Sequence, residues 1–219
     1  MYALTRTQAL LEGIYALDVA LDVEDFLVTD RTVAEALDTS GAARDCDEKL
    51  LVVEDEAGLA VSLFIDESLL KRLATCDPDE HLDEHNLADF CVAIEGVSHF
   101  LYLTERAQRD RPVTLLELEL QAEVDKYVGV QATLHAQGAA GAPRRLLKRM
   151  FQDVRFDSSL DADEQVRYHG ANAYAHRYCS HLEQRYVGQS PARFVSELRH
   201  FHALTQSEKL RHIDTTRMI

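Results

Sequence analysis

Residues 86–109 constrain the fold most, because they form the most apolar and least ambiguous helical stretch of the chain. Asn86 has the side chain of a typical N-cap residue, and Asp89 places a carboxylate near the positive end of the helix dipole. Apolar side chains cover most of the surface of this predicted helix, so we expect it to be buried on more than one side. The remaining elements should therefore pack around it.

One narrow stripe of the predicted central helix is polar. Glu95, His99, Tyr102 and Arg106 follow at spacings of four, three and four residues, so their side chains point the same way. Two interpretations stay open. The stripe is either a solvated edge with an ordinary Glu95–His99 pair one turn apart, or it faces an internal cavity. In a cavity, a carboxylate beside an imidazole would have shifted pKa values and would act as base, acid or metal ligand.

Composition and charge narrow the class of protein. The chain has 219 residues, a net charge of −15 and 46% hydrophobic residues, as expected of a globular protein with one substantial core. No tract approaches the run of about 20 apolar residues that crosses a bilayer, and Glu12 and Asp18 interrupt the N-terminal apolar stretch. The cysteines show no metal or disulfide spacing. We therefore expect a cytoplasmic protein that does not insert into a membrane and does not bind nucleic acid directly, since phosphate binding needs excess Lys and Arg.

The N-terminal third of the chain carries the strand signals. Two apolar, β-branched runs, within residues 50–65, flank a short acidic turn that ends at Gly58, which is typical of a β-hairpin. We expect the hairpin to pack on a first helix from about Thr7 to Asp22, with residues 26–28 as a third strand. Asp77-Pro78 then marks the best boundary.

After Pro78 the pattern stays helical to the end of the chain. Thr114 and Asp161 open capping boxes, and Ser190-Pro191 marks a further helix start. The sequence predicts an α+β fold that is predominantly α-helical. Residues 1–77 form a small N-terminal lobe with the β-hairpin and helices, residues 78–219 form a C-terminal helical bundle, and the two make one compact unit.

The best candidate site is distributed over three helices. Glu119 and Glu123 lie one turn apart on the helix that begins at Thr114, and a later helix carries a stripe of His169, Asn172 and His176. In a bundle these groups can converge with those of the central helix, as carboxylate and imidazole ligands do in bundle metal sites. The candidate catalytic residues are Glu95, His99, Glu119, Glu123, His169 and His176, and the candidate ligands of a divalent metal are Glu95, His99, Glu123 and His176. The alternative is that they are solvated helix flanks, because the Glu-x-x-His pattern of di-iron bundles is absent.

Three further groups have a functional and a structural interpretation. The candidate ligand-binding side chains are Tyr102, Tyr168, Asn172 and Tyr178. In the alternative interpretation, the tyrosine rings belong to the core. The candidate partner-binding side chains are Arg144, Arg145, Lys148 and Arg149, which would otherwise dock on the acidic helices of the chain itself. His81 and His85, one turn apart, would either hold a surface metal ion or belong to a hydrated acidic segment.

Familiar catalytic signatures are missing from the sequence: it contains no GxSxG, no HExxH and no GxGxxG after a strand. The leading hypothesis is therefore a non-catalytic, acidic protein that binds or regulates a protein partner, of which a nucleic-acid mimic is one version. The alternative is a helical-bundle enzyme or ligand binder with a carboxylate and histidine site, with a divalent metal as its cofactor. Homo-oligomerisation is compatible with both.

Overall fold

The central helix, α4 (Leu87–Ala107), lies between the sheet and the other helices of the fold. The computed structural model describes residues 2–39, 46–55, 58–139, 146–154, 160–186 and 190–215. Before α4 come α1 (Tyr2–Tyr15), a 3-10 helix (Val23–Phe26), β1 (Leu27–Val28), α2 (Arg31–Leu37), β2 (Glu48–Asp55), β3 (Gly58–Ile65) and α3 (Glu67–Thr75). After it come α5 (Leu115–Ala136), a π-helical turn (Lys148–Gln152), α6 (Ala162–Tyr186), α7 (Pro191–Ala203) and α8 (Gln206–Thr215). The predicted α+β fold, predominantly helical with a small sheet, is confirmed.

The predicted hairpin and its third strand are present. β2 and β3 pair antiparallel in a register that runs from Glu48 opposite Ile65 to Asp55 opposite Gly58. β1 adds to the other side of β3 in parallel, with Leu27 opposite Leu63, so the strand order is β1–β3–β2. This places β3 in the middle and β2 at an edge, with Glu48 at the start of the edge strand.

The sheet packs mainly on α4 and not on α1, which the sequence analysis had expected to cover it. Gly96 makes this packing close: a Cβ atom at this position would lie 3.0 Å from Cγ of Glu48 and 3.1 Å from Cδ1 of both Leu63 and Ile65. Because Gly96 has no side chain, the start of β2 reaches the surface of α4 one turn before His99.

Most helix starts agree with the capping signals, and two do not. Thr114 accepts from the backbone of Glu117 at 3.1 Å, and Asp161 and Glu164 form a reciprocal capping box. The side chain of Asn86, however, caps no amide of α4 and instead holds the preceding loop, donating to the carbonyl oxygens of Cys76 and His81. The first helix begins at Tyr2 and ends at Tyr15, not at Asp22, because the chain turns at Ala16 with a positive φ of 54°.

One connected hydrophobic core joins the parts before and after Pro78. It includes Leu4 of α1, Leu63 of β3, Val97 of α4, Val124 of α5 and Tyr178 of α6, each fully or almost fully buried. Within the part of the chain that the structure describes, α4 is the one helix long and apolar enough to cross a bilayer, but 61% of its most apolar window is buried in the fold. The length and apolar composition of α4 are also those of a helix that is buried in the core of a globular protein.

Candidate functional site

Helix α5 supplies two opposed polar faces because its polar residues alternate. Its first half has a polar side chain at every second position, namely Glu117, Glu119, Gln121, Glu123 and Asp125. In a helix, alternate residues are about 200° apart, so positions 117, 121 and 125 share one face and positions 119 and 123 the opposite face. Each face contributes to a different buried polar cluster. We call these the metal-ligand cluster, around His99, and the lysine cluster, around Lys209.

The metal-ligand cluster brings together side chains from α4 and α5. Glu95, His99 and Glu119 each offer one ligand atom, and these atoms all lie within 4.8 Å of one another. His99 and Glu119 are buried, and Glu95 is partly exposed. Among the described residues, no other group of three or more histidine, cysteine or acidic side chains has this arrangement.

The imidazole of His99 is held between two carboxylates from different elements. Its Nδ1 atom lies 3.2 Å from Oε1 of Glu48 on β2, within hydrogen-bond distance. Its Nε2 atom lies 3.7 Å from Oε2 of Glu119, which is too far for a hydrogen bond. This Nε2 atom is buried and has no hydrogen-bond partner in the described structure, although the side chain of His99 is only 7% exposed.

Two cations complete the cluster. Nζ of Lys126 lies 2.9 Å from Oε2 of Glu95 and 2.9 Å from Oε1 of Glu123, so the ammonium group bridges α4 and α5. On the other side, Nε of Arg167 on α6 lies 3.7 Å from Oε1 of Glu119. Four carboxylates, those of Glu48, Glu95, Glu119 and Glu123, therefore surround His99 together with two basic side chains.

Burial and charge shift the pKa values in this cluster. Burial lowers the pKa of His99, but the neighbouring carboxylates of Glu48 and Glu119 raise it more, so that it lies well above the usual value. Burial also lowers the pKa of Lys126, and Glu123 and Glu95 again more than offset it. For both side chains the nearby carboxylates favour the protonated form.

The lysine cluster lies on the opposite face of α5. Nζ of Lys209, on α8, donates to Oε1 of Gln121 at 2.5 Å and lies 4.4 Å from the centre of the Tyr102 ring. Asp125 accepts from Ser98 at 2.6 Å, from Gln121 at 2.7 Å and from the hydroxyl of Tyr15. The cluster ties α1, α4 and α8 to α5 through buried hydrogen bonds.

Arg106 extends the lysine cluster to the end of α7. Its guanidinium donates to the hydroxyl of Tyr102 at 2.7 Å, to the carbonyl of Leu204 at 3.3 Å and to the carbonyl of His202. These carbonyls lie at the C-terminus of α7, where a cation is favoured. Tyr102 in turn donates to Glu117 at 2.6 Å, so hydrogen bonds connect α5 to the end of α7 through Tyr102 and Arg106.

The polar stripe predicted on α4 is therefore not a solvated edge. His99, Tyr102 and Arg106 are all at least 94% buried, and the stripe divides between the two clusters. Glu95 and His99 belong to the metal-ligand cluster, and Tyr102 and Arg106 to the lysine cluster. The interpretation that the stripe faces the interior is the one that the structure supports.

The predicted stripe on α6 lies elsewhere and does not join the metal-ligand cluster. Asn172 donates to the carbonyl of Phe151 at 3.0 Å, and the His176 ring lies 5.6 Å from the Phe151 ring, so both face the π-helical turn. His169 is exposed. The reason is that Ala171 and Ala175 lie on the buried face of α6, so the stripe lies on a different face of this helix. Convergence of the α6 histidines with Glu95 and His99 was a wrong prediction.

The tyrosines proposed to line a ligand pocket have partners within the fold. Tyr178 stacks on Phe201 with ring centres 3.8 Å apart and donates to Glu197 at 3.2 Å. Tyr102 belongs to the lysine cluster, and Tyr168 lies beside the guanidinium of Arg167. These contacts favour the structural interpretation.

The surface candidates stay predictions. Lys148 and Arg149 are exposed on the π-helical turn, while Arg144 and Arg145 lie outside the described residues. His81 and His85 are exposed, and Nε2 of His81 lies 3.8 Å from Asp83. Neither group shows a contact that assigns it a partner or a metal ion.

Sequence reasoning missed Glu48, Lys126 and Arg167. Lys126 carried a usable signal, because it lies three residues after Glu123 and therefore on the same side of α5. Glu48 had none, since its position beside His99 depends on the packing of the sheet against Gly96.

The comparisons with known proteins give no family for this chain. No protein-family model matches it, and neither a curated protein nor a solved structure does. The functional conclusion therefore depends on the two clusters themselves.

Proposed function

We propose that this protein binds one divalent transition-metal ion through Nε2 of His99 and the carboxylates of Glu95 and Glu119. The observation that carries the proposal is the state of His99, whose Nε2 atom is buried, has no hydrogen-bond partner and points toward Glu119. A buried polar atom without a partner costs about 1–3 kcal/mol. Seven side-chain atoms of the described residues are in this state, and His99 is the one residue among them that belongs to a group of three possible metal ligands. A metal ion bound between His99, Glu95 and Glu119 would supply the missing partner.

Glu48 supports the proposal from the other side of the ring. Histidines that bind a metal through one ring nitrogen usually donate the other N–H to a carboxylate, which fixes the tautomer and the ring orientation. Glu48 accepts from Nδ1 at 3.2 Å, so it holds His99 with Nε2 directed at the other two ligands. We assign Glu48 as a positioning residue and not as a ligand.

The spacing of the ligand atoms is compatible with an ion after a small adjustment. Atoms that bind one ion at about 2.1 Å lie roughly 3–3.5 Å apart, and the observed limit is 4.8 Å. Rotation of the two flexible glutamate side chains closes a gap of this size without a backbone movement. The rigid member of the set, His99, already has its position fixed.

The ligand set and the charge indicate the class of ion. Two carboxylates and a single imidazole suit manganese and iron in the divalent state better than a soft, thiolate-binding ion. Four carboxylates and two basic side chains leave two formal negative charges in the cluster, which one divalent ion neutralises when His99 is neutral. Metal and proton therefore compete for the same nitrogen of His99.

Three protein ligands leave coordination positions open for water and substrate, as in catalytic rather than structural metal sites. At such a position the ion would act as a Lewis acid toward a bound oxygen atom. Water and substrate would reach the ion from the side of Glu95, because the side chain of Glu95 is 23% exposed and that of Glu119 is 10% exposed. We accordingly favour the enzyme or ligand-binder hypothesis over the partner-binding hypothesis, which rests on acidity and on the missing catalytic signatures.

The test is elemental analysis of the protein purified without a histidine tag, followed by calorimetric titration of metal-free protein with Mn²⁺ and Fe²⁺. We expect close to one equivalent of metal in the wild-type protein and at least a tenfold weaker affinity in His99→Gln. His135→Gln is the matched control, because His135 is exposed in the last turn of α5 and belongs to no candidate site. Equal affinities in the two variants, or no binding by the wild-type protein, would mean that the cluster is only a structural ion network.

A further inference from the structure

Lys126 occupies the place beside the proposed metal site where a second cation would bind. Its ammonium group makes two contacts of 2.9 Å, one with Oε2 of Glu95 and one with Oε1 of Glu123. Glu95 is also one of the three side chains grouped around His99. Glu95 is therefore shared between an ion at His99 and the ammonium group of Lys126, as a bridging carboxylate is shared between the two ions of a dinuclear centre.

The surroundings of Lys126 show that this ammonium group is part of the site. Its side chain is 14% exposed, and so is that of Glu123, which lies one helical turn after Glu119 on the same face of α5. A buried ammonium group needs compensating charge, and the two carboxylates provide it. Conversely, without Lys126 the two carboxylates would lack their bridging cation and would form an acidic pair next to the metal.

The formal charge of the cluster agrees with one metal ion at His99 and one ammonium group, that of Lys126, beside it. With Lys126 and Arg167 in place, one divalent ion at a neutral His99 balances the four carboxylates. A second divalent ion beside Lys126 would leave an excess of positive charge in a largely buried cluster, which is unfavourable. Removal of the ammonium group makes room for the second ion and leaves one formal negative charge, so that a second divalent ion gives a net charge of +1 and not +2.

We propose that Lys126 is the residue that limits this site to one metal ion, its ammonium group taking the place of a second divalent cation between Glu95 and Glu123. This inference rests on the proposed function, and it goes further by defining a second cation subsite and the side chain that fills it. Lys126 thereby determines how many metal ions the site binds. It contacts the carboxylates and not the ion at His99.

The experiment compares Mn²⁺ binding by the full-length, metal-free wild-type protein with that by Lys126→Met and Lys126→Arg. Calorimetry gives the stoichiometry, and electron paramagnetic resonance distinguishes isolated Mn²⁺ from a magnetically coupled pair. We expect one uncoupled ion for the wild-type protein and for Lys126→Arg, which keeps the charge. For Lys126→Met, which removes the charge and the N–H donors but keeps an unbranched side chain, we expect two coupled ions. Lys71→Met, at an exposed lysine of α3, is the control for loss of a surface charge.

The possible results separate this inference from the proposed function. One ion in the wild-type protein and one in a folded Lys126→Met variant would overturn the inference and leave the proposed function intact. No ion in the wild-type protein but one in Lys126→Met would overturn both, because Lys126 would then exclude metal altogether and would not limit the site to one ion. No ion in any variant would overturn both. If Lys126→Met does not fold, as shown by circular dichroism, Lys126→Gln gives the same comparison with a polar side chain.

Discussion

Nδ1 of His99 on the central helix lies 3.2 Å from Oε1 of Glu48 on the edge strand of the sheet. The contact joins the sheet and the helical bundle at the proposed metal site. Carboxylates in this position usually change metal affinity by a factor of about 10–100 when they are lost. The sheet is therefore part of the site and not only part of the scaffold.

Glu48→Gln should weaken Mn²⁺ binding by about 10–100-fold without changing the stoichiometry, because it removes the charged acceptor for Nδ1–H but no ligand. Calorimetric titration measures both quantities. Glu54→Gln is the control, since Glu54 is exposed near the other end of the same strand. A change in stoichiometry with the Glu48 variant would show instead that Glu48 binds the metal directly.

Gly96→Ala should destabilise the fold by about 1–3 kcal/mol, because the new Cβ would overlap Cγ of Glu48 at 3.0 Å and the buried Cδ1 atoms of Leu63 and Ile65 at 3.1 Å. Gly13→Ala, in a helical position with nothing within 4 Å, should stabilise it by about 0.5–1 kcal/mol. Urea unfolding measures both. Equal effects would mean that the sheet can move away from α4 at little cost.

Local signals predicted most of the fold. The apolar pattern of α4, the capping boxes at Thr114 and Asp161, and the two runs of the hairpin depend on neighbouring residues, and these elements are present at or near the predicted positions. The first helix was predicted to begin at about Thr7 but begins at Tyr2. Thr5 therefore lies within the helix, and its hydroxyl group donates to Glu24.

The site was predictable only where one helix determines it. Glu95 with His99, and Glu119 with Glu123, are pairs at helical spacing, so the sequence shows that each pair shares a face. Which faces meet depends on side chains far apart in the chain. His176 lies beside Phe151 because small residues on α6 set the rotation of that helix, and Glu48 reaches His99 because Gly96 lets the sheet approach.

The two polar faces of α5 should respond differently to substitution. Asp125→Ala should cost about 3–5 kcal/mol of stability, since it leaves the buried groups of Ser98, Gln121 and Tyr15 without their acceptor. Glu119→Gln should cost the metal-free protein less stability than Asp125→Ala, because the described ion contacts of Glu119 are long, at 3.7 Å. Metal binding should nevertheless be lost. Unfolding curves and metal titrations of both variants decide whether the faces have separate roles.

Lys209 should make stability depend on pH above neutrality. Burial lowers the pKa of Lys209 from the 10.5 of an exposed lysine to about 7, and the opposing effect of Glu117 and Asp125 does not restore it. Between about pH 7 and 10.5 the unfolded chain binds a proton that the folded chain has lost. Lys209 therefore destabilises the fold fully below pH 7, and this penalty disappears as the pH rises toward 10.5.

Lys209→Met removes that penalty and isolates its pH dependence. The stability of the variant relative to the wild-type protein should be highest below pH 7 and should fall by up to about 1.4 kcal/mol per pH unit between about pH 7 and pH 10. The lost hydrogen bond to Gln121 lowers the difference by a constant amount and leaves its slope unchanged. Urea unfolding at several pH values gives the slope, with Lys71→Met as the exposed-lysine control. A difference independent of pH would show that Lys209 keeps its proton in the folded protein, and that the lysine cluster holds a buried ammonium group.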